Sequence, residues 1–262
     1  MDSEPPISPF RARYLRLRRG FSYVQRNPQL GLAAGLFLGG LLALATHIAA
    51  LAGALFGAGA TLLGAWITDF NNRRAATEER SRRRSEARLY LAPELLRAIV
   101  RVLHIHDRAI ANFISASAEH EIKPNDIKQD FIPSWPVLYP NAPQIHELSG
   151  DEAVALITFY DSLHALSEFV NGWWEREGQL PVNIFNTILH SAAESLNLAL
   201  VCVGKFGLEQ LYPPRNEALG TISSRIEKSL SFAAKAREQH ILRFEAKAAN
   251  MASQTPRRPG QA

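Results

Sequence analysis

The sequence has no aspartate, glutamate, lysine or arginine between Arg26 and Asp69. This lack of charge excludes a solvated helix, which would carry a polar face. As one straight helix the apolar part would be about 58 Å long, nearly twice the hydrocarbon thickness of a bilayer. A reversal near Thr46 and His47 would give two helices that each cross once. We therefore predict a two-helix transmembrane hairpin over residues 29–68, with a re-entrant or steeply tilted arrangement as the alternative.

Cysteine is almost absent as well, because Cys202 is the single one and no disulfide can form within the chain. This usage suits a reducing compartment. The sequence also lacks a glycine-rich phosphate loop, a Cys/His zinc pattern and a recognisable nucleophile turn. We expect no enzyme activity and no cofactor.

Both flanks of the uncharged stretch are rich in arginine, and each carries a net charge of about +4. Positive flanks stay on the cytoplasmic side of a membrane, so two spans leave both termini inside. We expect an integral protein of the bacterial inner membrane, with a basic juxtamembrane N-terminus over residues 1–28. Anionic lipid headgroups are the expected partners of these arginines. The candidate lipid contacts are Arg16, Arg18, Arg19, Arg73 and Arg74.

The soluble remainder, residues 89–262, carries a net charge of about −3 once the two basic flanks are set apart. It has no basic stripe that a phosphate backbone could follow. Nucleic acid is therefore not an expected partner, although the isoelectric point of the whole chain is about 9.4.

Small residues recur every four positions in the uncharged stretch, an arrangement that lets helices approach closely. The candidate packing glycines are Gly31, Gly35, Gly39, Gly53 and Gly57. They could pack the two helices against each other, or leave one ladder free for a homo-oligomer.

Residues 69–88 contain many arginines and hardly any large apolar side chains, which predicts a solvated helical stalk. From Leu89 onwards apolar residues recur every three or four positions, so a helical-bundle domain is expected over residues 89–251. Pro93 would either kink the first helix or mark a new start.

Three further helices are expected after a proline-rich segment at 119–150, which is too apolar for a free linker. They cover about 151–177, with Ser149 or Asp151 as cap, about 182–211 and about 216–250. Short connections between them predict antiparallel neighbours. The sequence thus predicts an all-α protein, in which a transmembrane hairpin precedes a cytoplasmic four-helix bundle with one long Pro-rich crossover. The polar tail at 252–262 is expected to be disordered.

A polar cluster interrupts the apolar faces of this bundle. Asp107 lies in the middle of the apolar stripe of its helix with His106 at the edge, and the last helix places Arg237 and His240 on an apolar face. Because a buried carboxylate needs a partner, we predict a buried pair of Asp107 and Arg237, with His106 and His240 beside it.

The His106-Asp107 doublet resembles the signature of the HD-domain metal phosphohydrolases, and that resemblance implies a metal site. The family pattern also has an upstream histidine, but none lies between the predicted spans and His104. A second metal arrangement, Asp161 with His164 and Glu168, falls on the solvent face of its helix. The structural pair is therefore the preferred interpretation.

Two classes of function fit these patterns. The first is a membrane-anchored module for protein interaction or regulation, with an unknown protein partner. The alternative is a membrane-acting effector, pore-forming or holin-like, whose glycine-laddered hairpin oligomerises.

Overall fold

A computed structural model describes residues 27–46, 48–118, 128–176, 182–212 and 220–254. Every regular element in these ranges is helical, which confirms the predicted all-α class. The chain divides into two compact units, residues 1–81 and 82–262. Several predicted features lie outside the described residues, namely His47, Arg16, Arg18, Arg19 and the tail from residue 255.

The described helices are α1 (Pro28–Ala45), α2 (Ala49–Ser117), α3 (Lys128–Phe131), α4 (Gly150–Arg176), α5 (Val182–Phe206), α6 (Leu208–Leu211) and α7 (Ile222–Gln254). A 3-10 turn at Pro143–Glu147 precedes α4. Three helices are long and apolar enough to cross a membrane, namely α1, α2 and the Asn183–Phe206 part of α5.

The first helix ends next to Thr46, at the reversal that the sequence places there without proline or glycine. The Thr46 hydroxyl donates to the carbonyl oxygens of Leu42 and Ala43, at 3.2 and 3.1 Å. The Ile48 N–H also donates to the Ala43 oxygen, at 3.0 Å. These bonds satisfy carbonyls that the end of a helix leaves without partners, so the chain can turn.

The two helices of the N-terminal unit pack antiparallel through Gly40 and Gly59. A methyl group on Gly40 would lie 3.0 Å from the ring of Phe56, and one on Gly59 would lie 3.2 Å from the ring of Phe37. The two phenyl rings are themselves in contact, with centroids 5.9 Å apart. The glycines of closest approach are thus two that the four-residue ladders do not contain.

The ladder glycines have different surroundings. A methyl group on Gly39 would make an ordinary contact of 3.5 Å with Leu55, whereas Gly35, Gly53 and Gly57 have no neighbour within 4 Å. Gly31 is partly exposed. Three of the five predicted glycines therefore do not bring α1 and α2 together, and their role in self-association stays a prediction.

The second unit has one hydrophobic core, to which α2, α4, α5 and α7 all contribute. Arg84 of α2 contacts Glu152 of α4, and Glu94 contacts Tyr160 further along both helices, so α2 and α4 run parallel. Pro93 lies inside α2, which continues through it. The expected new helix start at this proline is therefore wrong.

The described part of the proline-rich connector, from residue 128 onwards, packs along the second unit, as expected from its apolar residues. Phe131 is fully buried between Trp174 and Phe185, with ring centroids 6.4 and 5.9 Å away. Glu94 accepts hydrogen bonds from the backbone N–H groups of Val137 and Leu138, at 2.7 and 2.9 Å. A side chain of α2 thus satisfies backbone donors that a non-helical segment cannot pair with itself.

A buried carboxylate joins the start of α4 to α2. Glu152 is 2% exposed and accepts hydrogen bonds from Arg84 at 2.7 Å and from Arg88 at 2.5 Å. The Ser149 N–H and hydroxyl also donate to Glu152, each at 2.9 Å, so this carboxylate satisfies the backbone donor that precedes α4. Ser149, rather than Asp151, is the cap.

This contact corrects the predicted stalk. Arg84 and Arg88 belong to the second unit and bind Glu152, and Ala87 between them is 1% exposed. The second unit begins at Arg82, earlier than the predicted start at Leu89.

Two connections depend on glycines with positive φ. Gly207 (φ 62°) ends α5 earlier than predicted, and Gly220 (φ 69°) precedes α7, which begins later than predicted. Glu209 accepts from the N–H groups of Ile222 and Ser223, at 3.2 and 2.7 Å. Burial opposes ionisation of Glu209, but these bonds lower its pKa below the ordinary value. A carboxylate from α6 thus caps α7.

Substitution of Glu152 by glutamine should lower the free energy of unfolding by about 3 kcal/mol at pH 7. Burial favours the neutral acid, but the bonds from Arg84, Ser149 and Arg88 outweigh it and lower the pKa of Glu152 from 4.5 to about 2. The stabilisation is therefore present above pH 4.5 and lost as the pH falls towards 2. Chemical denaturation of the full chain in detergent at several pH values measures it.

The matched control for this substitution is Asp151→Asn, because the Asp151 side chain is 90% exposed. It should change stability by less than about 0.5 kcal/mol. A Glu152→Gln variant as stable as Asp151→Asn at pH 7, or a difference between the two that persists at pH 2, would contradict the assignment.

Candidate functional site

The seam between α2 and α7 contains a chain of three polar side chains. The Ser229 hydroxyl donates to an Asp107 carboxylate oxygen at 2.5 Å, and the His106 Nδ1 atom lies 2.7 Å from the same hydroxyl. His106 is completely buried, and Ser229 is 8% exposed. Sequence reasoning missed Ser229, although it interrupts the apolar stripe of α7 three residues after the buried Ile226.

The protonation state of His106 follows from this chain. A hydroxyl has one proton and Ser229 gives it to Asp107, so the His106 Nδ1 atom must carry a proton and donate it to Ser229. Burial lowers the pKa of His106 to about 4; the Asp107 carboxylate opposes this shift and the Arg237 guanidinium adds to it. His106 is therefore neutral at pH 7, and its Nε2 atom is an acceptor.

The predicted buried pair of Asp107 and Arg237 is wrong. Asp107 is exposed and has Ser229 as its partner, and no ion pair joins it to Arg237 in the described part of the chain. Asp107 follows His106 by about 100° around the helix, which is enough to place one side chain in the core and the next in solvent. The stripe assigned from the sequence was displaced by one position.

Arg237 is only partly exposed, and two of its nitrogen atoms are buried without a hydrogen-bond partner in the described chain. These are the Nε and Nη2 atoms, which form one edge of the guanidinium. The His106 Nε2 atom is buried without a partner as well. His240 makes an edge contact with Phe113, with ring centroids 5.1 Å apart. The four predicted residues thus share one seam without forming the predicted salt bridge.

This arrangement does not resemble a hydrolytic triad. In such a triad an unprotonated histidine nitrogen accepts the serine proton. Here the serine proton goes to Asp107, and His106 presents a protonated nitrogen to Ser229. The geometry makes Ser229 a connector between a buried and an exposed group rather than a nucleophile.

The residues considered for metal binding are dispersed on the surface. Asp161, His164 and Glu168 are all exposed, as their position on the helix predicts. His190 pairs with Glu194 at 3.2 Å, and both side chains are exposed. Across the ranges that the structure describes, no three His, Cys, Asp or Glu side chains form a group suited to a metal ion.

On the solvent side of the same seam lies an open cleft with a volume of about 430 Å³. Asp107 and Ser229 line it, together with Leu103 of α2 and Phe232 of α7. Phe232 is 54% exposed, although it is a large aromatic residue. The polar chain thus connects the buried His106 to a cleft that is open to solvent.

A comparison of the chain with protein-family models, with curated proteins and with solved structures finds no match.

Substitution of Ser229 by alanine should destabilise the protein by about 1–3 kcal/mol, because the buried His106 Nδ1–H group loses its acceptor. The control is Ser231→Ala, since this exposed hydroxyl donates to the Lys228 carbonyl of its own helix, at 2.8 Å. Thermal and chemical unfolding of the full chain in detergent measure both. Equal stability of the two variants would contradict the proposed hydrogen-bond chain.

Proposed function

We propose that the protein is a membrane-anchored helical module, held by α1 and the start of α2, whose second unit acts in the cytoplasm on a protein partner. The observation that carries the anchor is the apolar surface of the N-terminal unit. Its exposed large apolar residues are Leu32, Leu38, Leu41, Leu42, Leu44, Ile48, Leu51, Ile67 and Phe70. Such a surface favours association in water, whereas lipid tails solvate it without cost.

Among the three helices that could cross a membrane, we assign α5 to the soluble core. Phe185, Leu189 and Leu196 are fully buried within the second unit. Cys202 near the end of α5 donates to the Ala155 carbonyl of α4 at 3.4 Å. The apolar composition of α5 is therefore explained by protein neighbours. Two spans remain, and both termini then lie on the cytoplasmic side of the proposed bacterial inner membrane.

The arginines next to the proposed spans support contact with anionic headgroups. Arg73 pairs with Asp69 and Arg74 with Glu78, each at 2.8 Å and with largely exposed side chains. Exposed pairs of this kind contribute only about 0–1 kcal/mol each. Lipid phosphates can replace such carboxylates at little cost, and each basic residue near an anionic surface gains about 1 kcal/mol.

A binding role suits the second unit better than catalysis. In the polar chain at the seam the Ser229 hydroxyl donates to Asp107 and accepts from His106, so no histidine base activates it as a nucleophile. The cleft above it combines an exposed aromatic ring with charged side chains, which is typical of recognition sites.

The proposed topology can be tested with cysteines introduced at Ser8, His47 and Ser253. An impermeant thiol reagent should label Ser8→Cys and Ser253→Cys from the cytoplasmic side and His47→Cys from the other side. Labelling of the two terminal positions from opposite sides would contradict an even number of spans. A third span formed by α5 would give this result.

The native cysteine provides the control for this experiment. Cys202 is completely buried, and burial raises the pKa of its thiol to about 12. A thiol in this state is unreactive at neutral pH. The unsubstituted protein should therefore remain unlabelled in membranes, and should react with the reagent only after unfolding.

The second candidate function is a membrane-acting effector that oligomerises. Gly35, Gly53 and Gly57 favour it, because they leave small-residue faces of α1 and α2 without a neighbour within 4 Å. A second copy of the hairpin could occupy these faces.

If this self-association occurs, Gly35→Leu or Gly57→Leu should lower the oligomer fraction in detergent at least about fivefold, because close helix approach is blocked. The control is Ala58→Leu, an exposed position beside the ladder. Analytical ultracentrifugation measures the fraction, and dye leakage from vesicles tests for pore formation. A monomer of unchanged size in all variants, without leakage, leaves the anchored module as the remaining function.

A further inference from the structure

The cleft between α2 and α7 is lined by cationic side chains that take no part in the hydrogen-bond chain beneath it. Its lining includes Arg225, Lys228 and Lys235, against Asp107 as an opposite charge. None of the three cationic side chains has a hydrogen bond or an ion pair among the described residues. Asp107 already accepts the Ser229 hydroxyl. The lining of the cleft therefore carries more positive than negative side chains, and none of its three cations forms an ion pair within the described chain.

The cationic residues form one stripe on α7. Arg225, Lys228, Phe232 and Lys235 follow each other at spacings of three, four and three residues, so they share one face of the helix. The stripe is about 15 Å long. Phe232 lies between the cations, half exposed, and Leu103 lies opposite on α2. The cleft thus presents an apolar centre with positive charge at both ends.

This arrangement specifies the chemistry of an occupant. An apolar side chain would cover Phe232 and Leu103, and acidic groups on either side of it would meet the cations of α7. On a partner helix, residues three and seven apart lie on one face and match the spacings of Arg225, Lys228 and Lys235. A groove between two helices is also a usual seat for a partner helix.

We infer that this cleft binds an acidic amphipathic helix of a protein partner. The inference rests on the proposed function and names the chemistry of the partner. A lipid headgroup fits the cleft less well, because the Asp107 carboxylate in the lining would repel its phosphate. A helical partner can place an apolar or donor group at Asp107 and its carboxylates at the cations.

The test uses the full chain in nanodiscs of neutral phosphatidylcholine, and a display library of helical peptides about four turns long with randomised surface positions. Selection should enrich peptides with Asp or Glu three or four residues from a large apolar side chain. The binding of enriched peptides, measured by fluorescence anisotropy, should weaken at least about tenfold in Lys228→Glu/Lys235→Glu. Both lysines are exposed, so the fold should survive, and thermal unfolding checks this.

Two further variants separate the cleft from general charge effects. Phe232→Ser should weaken binding about fivefold or more, because the apolar contact is lost while the charge is unchanged. Arg97→Glu changes an exposed arginine of α2 outside the cleft lining and should change the dissociation constant less than about twofold at moderate salt.

Each outcome distinguishes between the proposals. Enriched peptides that bind wild type and Lys228→Glu/Lys235→Glu equally would overturn the cleft, and leave the interaction function with another surface. Failure to enrich any peptide would overturn the helix as the occupant of the cleft, and would leave the interaction function to partners of another kind. Enrichment without acidic residues, or displacement of peptides by monomeric short-chain phosphatidylglycerol but not by short-chain phosphatidylcholine, would overturn the acidic helix in favour of an apolar partner or an anionic lipid.

Discussion

The second unit depends on one buried carboxylate. Glu152 lies in the first turn of α4, where it accepts a hydrogen bond from the Ser149 N–H and its negative charge is stabilised by the positive end of the helix dipole. It also binds Arg84 and Arg88 of α2. A buried charge is stable only when its partners are complete, so α4 can begin only where both arginines reach it. This contact fixes the register of two parallel helices that no short loop connects. Glu94 then holds the connector to α2, and Glu209 caps α7 by the same chemistry.

Apolar periodicity predicted the long helices with small errors. The expected helix at 151–177 is Gly150–Arg176. The end of α5 and the start of α7 differ from the prediction, beside Gly207 and Gly220, which adopt positive φ. The sequence could not reveal the role of Arg84 and Arg88, because their partner Glu152 lies more than sixty residues away and a run of arginines is typical of a solvated helix. Local pattern reports which face is apolar, but not which distant group lies opposite.

The candidate site shows the same limit at the scale of single residues. The seam between the helices was predicted from His106, Asp107, Arg237 and His240, and the structure brings their helices together there. The pairing was wrong because a helical wheel resolves position only to about one residue. As a result, the buried member of the doublet is the neutral His106, and Asp107, which was predicted to be buried, is exposed. Ser229 made the difference, since a small hydroxyl can join His106 to Asp107 where a direct charge pair cannot form.

Arginine has two roles in this chain, and the burial of its partner decides which one. Arg73 and Arg74 bind exposed carboxylates of their own helix, so each pair contributes little to stability and its loss costs little. Arg84 and Arg88 bind a carboxylate that is 2% exposed, and their release would leave a charge in the core. The change occurs between Glu78 and Arg84, around the division of the two units at Ser81. A continuous run of basic residues in the sequence is therefore divided physically into a part whose partners are exposed and a part committed to the fold.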